Sequence, residues 1–166
     1  MTNEPTKIKD NLFYDERSAG GLVQKTEGGK TLWLLIKTIS GARKAGQKSI
    51  YKFPKGHLQK SEFLKQAALR EVEEEGQVKA RVLSKIGSNN YIIWDKLGKR
   101  KIIKKVTFFL MEYEGQSSLK HYDTEMVLDR EWLPYEEACE KLAYDSEKVL
   151  LKRARIKLEE YLRKKQ

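Results

Sequence analysis

A chain of 166 residues with 39% apolar and 35% charged residues has enough material for one domain with a real core. No apolar run reaches membrane-span length, Met1-Thr2-Asn3-Glu4-Pro5-Thr6 has no apolar signal segment, and the single Cys139 forms no internal disulfide, so a cytoplasmic protein is expected. The net charge of +10 favours an anionic partner, although many of the basic residues crowd the C-terminus, where plain solvation is the ordinary role.

Residues 1–16 are polar and are expected to form a flexible lead-in to a single domain over residues 17–166. Ser18-Ala19-Gly20-Gly21-Leu22-Val23 opens an extended segment and Thr31 to Ile36 reads as a buried strand, with Glu27-Gly28-Gly29-Lys30 as the turn between them. Residues 40–49 read as a flexible loop, and Ile50 to Phe53 as a short strand stopped by Pro54. Ser61 fits the N-cap of a helix from about Glu62 to Glu75. Val78 to Ile86 alternates and leads into a long hairpin with arms Tyr91–Trp94 and Ile102–Tyr113 and a turn at Asp95–Gly98. Trp132-Leu133-Pro134 opens a C-terminal part with a short helix near Glu136–Leu142. A final helix starts near Ser146, with Leu150, Ala154, Leu158 and Tyr161 as its inward stripe. Strands interrupted by one helix and followed by helices predict an α+β fold, with helices packed on a mixed sheet.

The first helix carries the strongest chemical signal. Glu71, Glu73, Glu74 and Glu75 crowd its last turns, where the partial negative charge of the helix end repels carboxylates. At about 100° per residue, Leu64, Ala68 and Val72 form a core-facing row. Glu71 and Glu75 flank that row, Glu74 lies a little further round, and Glu73 points to the opposite, solvated side. Three convergent carboxylates suit a hard cation such as Mg²⁺ or Mn²⁺, which completes its shell with water and phosphate oxygens. Arg70 is placed to reach Glu74 and, backwards, Glu62, orienting carboxylates without ligating metal. Taken alone, such a run is most often a solvated acidic face.

Gly56, Glu62, Arg70, Glu71, Val72, Glu74, Glu75 and Val78 fall in the register Gly-x5-Glu-x7-Arg-Glu-U-x-Glu-Glu-x-Gly-U, where U is a bulky aliphatic residue. This run resembles the box of the Nudix hydrolase family, and the resemblance covers roughly Ser18 to Leu142. The box's second glycine falls on Gln77, with glycine at Gly76 instead. Either the helix ends one residue early, or Gln77 takes the left-handed conformation at about 1 kcal/mol. The resemblance implies an α/β/α sandwich with a central mixed β-sheet. It also implies metal-dependent hydrolysis of a nucleoside diphosphate linked to another group, with metal held by Glu71, Glu74, Glu75 and the backbone carbonyl of Gly56. The base lies in the box or on a later loop, where Glu125 is the candidate.

Tyr51-Lys52-Phe53-Pro54-Lys55-Gly56-His57 and Lys105-Val106-Thr107-Phe108-Phe109-Leu110 are similar to segments of diadenosine polyphosphate hydrolases. The resemblance implies a dinucleoside polyphosphate substrate such as diadenosine tetraphosphate, cleaved to ATP and AMP. Lys52, Lys55, His57 and Lys105 are the candidate phosphate contacts, and Tyr91 and Phe108 the candidate base-stacking surfaces. Trp33 and Trp132 are assigned to packing. The rival substrates are oxidised nucleoside triphosphates, RNA 5′ ends, ADP-ribose and diphosphoinositol polyphosphates. A non-catalytic RNA-binding module of the same fold is a rival of another class; such modules typically lose box carboxylates, and this chain keeps them. The expected partner is a small nucleotide rather than a membrane or nucleic acid, and the oligomeric state is open.

Overall fold

The computed structural model of the protein describes residues 16–39, 48–95, 100–119 and 127–166. The expected flexible lead-in up to residue 15, most of the 40–49 loop, residues 96–98 of the expected hairpin turn and Glu125 lie outside these residues. The chain runs β1 (Glu16–Glu27), β2 (Lys30–Ile39), β3 (Ser49–Lys52), β4 (Lys55–His57), α1 (Leu64–Gly76), β5 (Val78–Asp95), β6 (Arg100–Gln116), β7 (Val127–Pro134), α2 (Tyr135–Lys141) and α3 (Asp145–Lys164).

Strand β1 is the hub of the sheet. It pairs antiparallel with β2 through Gln24–Glu27, antiparallel with β4 through Ser18–Gly20, and parallel with β6 from Glu16 to Gln24. With β3 and β7 antiparallel to β2, and β5 antiparallel to β6, the sheet is mixed, as expected. Each strand of the centre is buried on both faces, so alternate residues feed two separate cores. Leu22, Trp33, Leu35, Val106, Phe108 and Leu110 pack with Ala138 of α2 and with Leu150, Leu151, Ala154 and Leu158 of α3. Ala19, Val23, Leu34, Phe109 and Met111 pack with Ala67, Ala68 and Val72 of α1. The result is an α/β/α sandwich. No helix among the described residues is long and apolar enough to cross a membrane.

Several boundaries move. Ser61 is not the N-cap: it takes a left-handed φ of 64°, and α1 begins at Leu64 after Phe63. The cap bond comes from the other direction, with the Phe63 N–H donating to Gln66 Oε1 at 3.0 Å. The expected alternating segment and first hairpin arm are one strand, β5, which stays paired with β6 through three irregularities of register. Pro54 separates β3 from β4, so Phe53 lies between strands. Strand β7 was not legible, because its Val-Leu-Asp-Arg-Glu run has no clean period of two; it forms against β2. Tyr161 is only half-buried, whereas Leu151 joins the inward stripe of α3.

Candidate functional site

Strand β4 and the turn after it lie against the side of α1, and the absence of a side chain at Gly56 decides how closely. A Cβ there would collide with the carboxylate of Glu71, so glycine is what lets this carboxylate settle over the backbone at residue 56. Glu71 is only 9% exposed. The neighbouring arginine holds the box together. Arg70 Nε and Nη2 form a fork to Glu62 at 2.7 and 3.0 Å, Nη1 donates to Glu71 at 2.8 Å and to Glu74 at 3.0 Å, and Nη2 also donates to the carbonyl of His57 at 2.9 Å. Only a planar, multiply donating guanidinium can serve all of these acceptors at once. Hydrogen bonds and charge from Glu62 and Glu71 raise the Arg70 pKa further, while Arg70 in turn holds the Glu62 carboxyl below its usual range. The sequence-based reach of Arg70 to Glu62 and Glu74 is therefore observed, and Glu71 is added to it.

Glu75 stands apart from this network. Burial pushes its pKa up to about 7, and the nearby charge of Glu71 adds to the rise, while Lys52 and Lys55 oppose it. Its Oε2 accepts a long hydrogen bond, 3.4 Å, from the Lys55 N–H. Glu73 is not simply solvated: Ser117 Oγ donates to it at 2.8 Å, which ties the outer side of α1 to the segment after β6. The helix ends in the second of the two anticipated ways. Gln77 takes the left-handed conformation (φ 56°, ψ 38°) and its N–H closes on the carbonyl of Glu73. Gly76 remains helical, and a Cβ there would press on Leu34 at 3.0 Å, so packing puts the glycine at 76 while the cap falls on 77.

Among the described residues, no three His, Cys, Asp or Glu side chains form a ready coordination set, because Arg70 Nη1 stands between Glu71 and Glu74. The donor chemistry nevertheless fits a hard divalent ion. The oxygens of Glu71 lie over the side-chain-free Gly56, and the charges of Glu71 and Glu75 raise each other's cost in a partly dry site, a repulsion that a cation would relieve.

On the other side of β4 the charge reverses. Lys55 is half-buried, and burial, with Lys52 and Lys104 nearby, lowers its pKa to about 8. Lys104 Nζ lies 3.3 Å from His57 Nε2, which is also 3.6 Å from Glu16. Lys104 thus joins Lys55 and His57, and Lys52, which pairs with Ile36 at the end of β3, acts on both Lys55 and Glu75. Lys105 does not join them, because adjacent strand residues face opposite ways: it stands on the α1 face with Arg17 and Lys85. Phe108 is fully buried and cannot stack on a base, which corrects that assignment: its position in β6 points into the core beneath α3. Tyr91 is half-buried at the edge of that core and accepts a 3.4 Å hydrogen bond from Asn89. Trp33 is core, and Trp132 packs edge-on against Tyr113 with a 5.3 Å centroid separation; both match their packing role.

Sequence reasoning missed two further groups. Arg130 of β7 donates through Nε to the carbonyl of Glu75 at 2.6 Å, a cation at the end of a helix whose own last turn has no basic residue. Glu147 of α3 is fully buried and accepts the Phe53 N–H at 2.8 Å. Arg130 left no signal, lying in a strand that was itself not legible, and a glutamate in the first turn of a helix is ordinary.

Comparison with known proteins gives one family. The NUDIX domain family model matches residues 15–153. The mutator protein MutT4 of Mycobacterium tuberculosis is 33% identical over 135 residues, 81% of this chain and 52% of its own length. The asymmetrical bis(5'-nucleosyl)-tetraphosphatase of Sus scrofa is 35% identical over 107 residues, 59% of this chain and 65% of its own. The chain therefore spans about half of the first relative and just under two-thirds of the second. Among solved structures, a C. elegans Ap4A hydrolase in a binary complex superposes with a TM-score of 0.62 at 23% identity, covering 86% of this chain and 97% of that one.

Proposed function

The chain belongs to the Nudix family, and from that premise we propose that it hydrolyses a pyrophosphate bond in a nucleoside diphosphate linked to another group, with a dinucleoside polyphosphate such as diadenosine tetraphosphate as the preferred substrate. The observation that carries the substrate class is the cluster of Lys52, Lys55, Lys104 and His57 beside the box carboxylates. Four neighbouring cationic or hydrogen-bonding side chains suit a phosphate chain longer than a simple diphosphate. The similarity to a tetraphosphatase supports the same reading.

In this reading Glu71, Glu74, Glu75 and the carbonyl of Gly56 hold divalent metal, Mg²⁺ or Mn²⁺, which when bound neutralises phosphate oxygens and acidifies a water. Arg70 fixes Glu71 and Glu74 in place. The proton of that water goes to a carboxylate of the box or of a later loop, where Glu125 is the candidate. Lys52, Lys55 and Lys104 bind the phosphate chain. Tyr91 and the 42% exposed Tyr144 offer the aromatic surface for a base.

Incubation with diadenosine tetraphosphate and Mg²⁺, followed by chromatography, tests the proposal: ATP and AMP are the expected products, and absence of turnover removes the substrate assignment. The similarity to a mutator protein favours a second reading, hydrolysis of oxidised nucleoside triphosphates. Direct competition between the two substrates decides between them.

A further inference from the structure

We infer that Glu147, in the first turn of α3, is a positioning residue that aims the phosphate-binding lysines by anchoring the Phe53-Pro54-Lys55 segment from the face opposite α1. The functional meaning of this anchor rests on the polyphosphate reading above.

Strand pairing holds the segment at its two ends, Lys52 against Ile36 and Lys55 against Gly20. Between them Pro54 has no N–H, its carbonyl accepts the Gly21 N–H at 3.2 Å, and the Lys55 N–H makes a long 3.4 Å contact with Glu75. From the α3 side, the Phe53 N–H donates a short bond to Glu147 Oε1, at 2.8 Å. Phe53 is fully buried, so without Glu147 its N–H would have no water to turn to. Residue 53 stands directly after Lys52 and two before Lys55, and its anchor therefore sets where both lysines emerge from the sheet.

Glu147 is itself rigidly mounted. Its backbone N–H closes on the carbonyl of Tyr144, and Leu150, Leu151 and Ala154 seat the following turns in the core. The helix N-terminus favours its negative charge, and Lys55 and Lys52 are close enough to favour it as well. Its Oε2 has no partner among the described residues. Packing alone gives no reason to bury a carboxylate there, since an apolar side chain of similar size would fill the space without the desolvation penalty.

The test compares two variants of the full chain that differ in reach and charge. Glu147→Asp keeps the charge but withdraws it by one methylene, and Glu147→Gln keeps the reach and an acceptor oxygen. Affinity is read by calorimetry with inorganic tripolyphosphate in metal-free buffer, and kcat and KM with diadenosine tetraphosphate and Mg²⁺. Glu147→Asp is expected to weaken tripolyphosphate binding and raise KM about tenfold, with kcat within about threefold, and Glu147→Gln is expected to recover most of the loss. In a Lys55→Met background the Asp penalty shrinks to less than about twofold, because both changes act through one contact. Amide exchange at Phe53 in the free protein accelerates in Glu147→Asp and not in Glu147→Gln. An Asp variant no weaker than the Gln variant, an Asp penalty that persists in full without Lys55, or unchanged exchange at Phe53 overturns the inference. If the wild type fails to cleave diadenosine tetraphosphate but the tripolyphosphate pattern holds, the substrate reading falls and the anchor stands. If cleavage holds and the Glu147 series is flat, the reverse is true.

Discussion

Helices α1 and α3 approach the Phe53–Lys55 segment from opposite faces of the sheet, and each presents one glutamate to a backbone N–H of that segment. The two glutamates sit at opposite ends of their helices. Glu147 is in the first turn of α3, where the helix field favours a carboxylate, and Glu75 is in the last turn of α1, where the field opposes one. Burial raises both to a pKa of about 7, against the helix field at Glu147 and along with it at Glu75. What differs is the use to which the charge can be put. Both feel Lys52 and Lys55, but Glu147 holds a strand end, whereas Glu75 also shares its surroundings with Glu71 and calls for an external cation.

The sharpest break between the two ends is expected in turnover. Glu75→Gln should reduce cleavage of diadenosine tetraphosphate by more than about a hundredfold, beyond the loss typical of residues that only support ligands, while Glu147→Gln stays within about tenfold of the wild type. Steady-state kinetics on both variants checks this, and near-normal turnover in Glu75→Gln would refute the metal assignment.

Arg70→Lys asks whether the α1 end depends on its fork. A lysine cannot serve Glu62, Glu71, Glu74 and the His57 carbonyl together, so kcat should fall about ten- to a hundredfold with the circular dichroism spectrum retained. An unchanged kcat would reduce the network to a surface ion cluster.

The shared pKa of the two glutamates makes a stability prediction. Each holds its proton to about pH 7 in the folded protein, against an ordinary value of 4.5. Between those values the folded chain binds more protons than the unfolded one, so the stabilisation is full below about pH 4.5 and is lost as pH rises towards 7. Thermal melting of the metal-free protein should therefore fall across this window, and Glu75→Gln and Glu147→Gln should each flatten the slope. A slope that neither variant alters would place the titration elsewhere.

Glu74→Gln should have the smallest effect. It relieves the helix-end repulsion but gives up a 3.0 Å ion pair with Arg70, and these terms nearly cancel, leaving a change in metal-free stability below about 1 kcal/mol by denaturant titration. A larger loss would show that Arg70 depends on Glu74 as much as on Glu62.

Legibility followed the range of the interactions. The box was readable because Glu71, Glu74 and Glu75 are placed by helical period alone, and the inward rows of α1 and α3 because helix periodicity is local. Ser61 misled because its chemistry suits a cap while its backbone is left-handed. Lys105 is one register step from the lysine cluster, which strand alternation converts into the wrong face, and Phe108 lies in a stretch of β6 buried on both faces, with Thr107 and Phe109 beside it equally covered.

By itself the sequence determined that an acidic helix end would follow a glycine turn, that Arg70 would brace it, and that the helices would cover a mixed sheet, since each depends on residues a few positions apart. Only the tertiary structure decided that Gln77, not Gly76, would carry the helix cap, that Lys104 would join Lys55, and that Glu147 would meet Phe53 across 94 positions of chain. Those outcomes depend on which faces of distant elements the packed sheet brings together, and no local period encodes that.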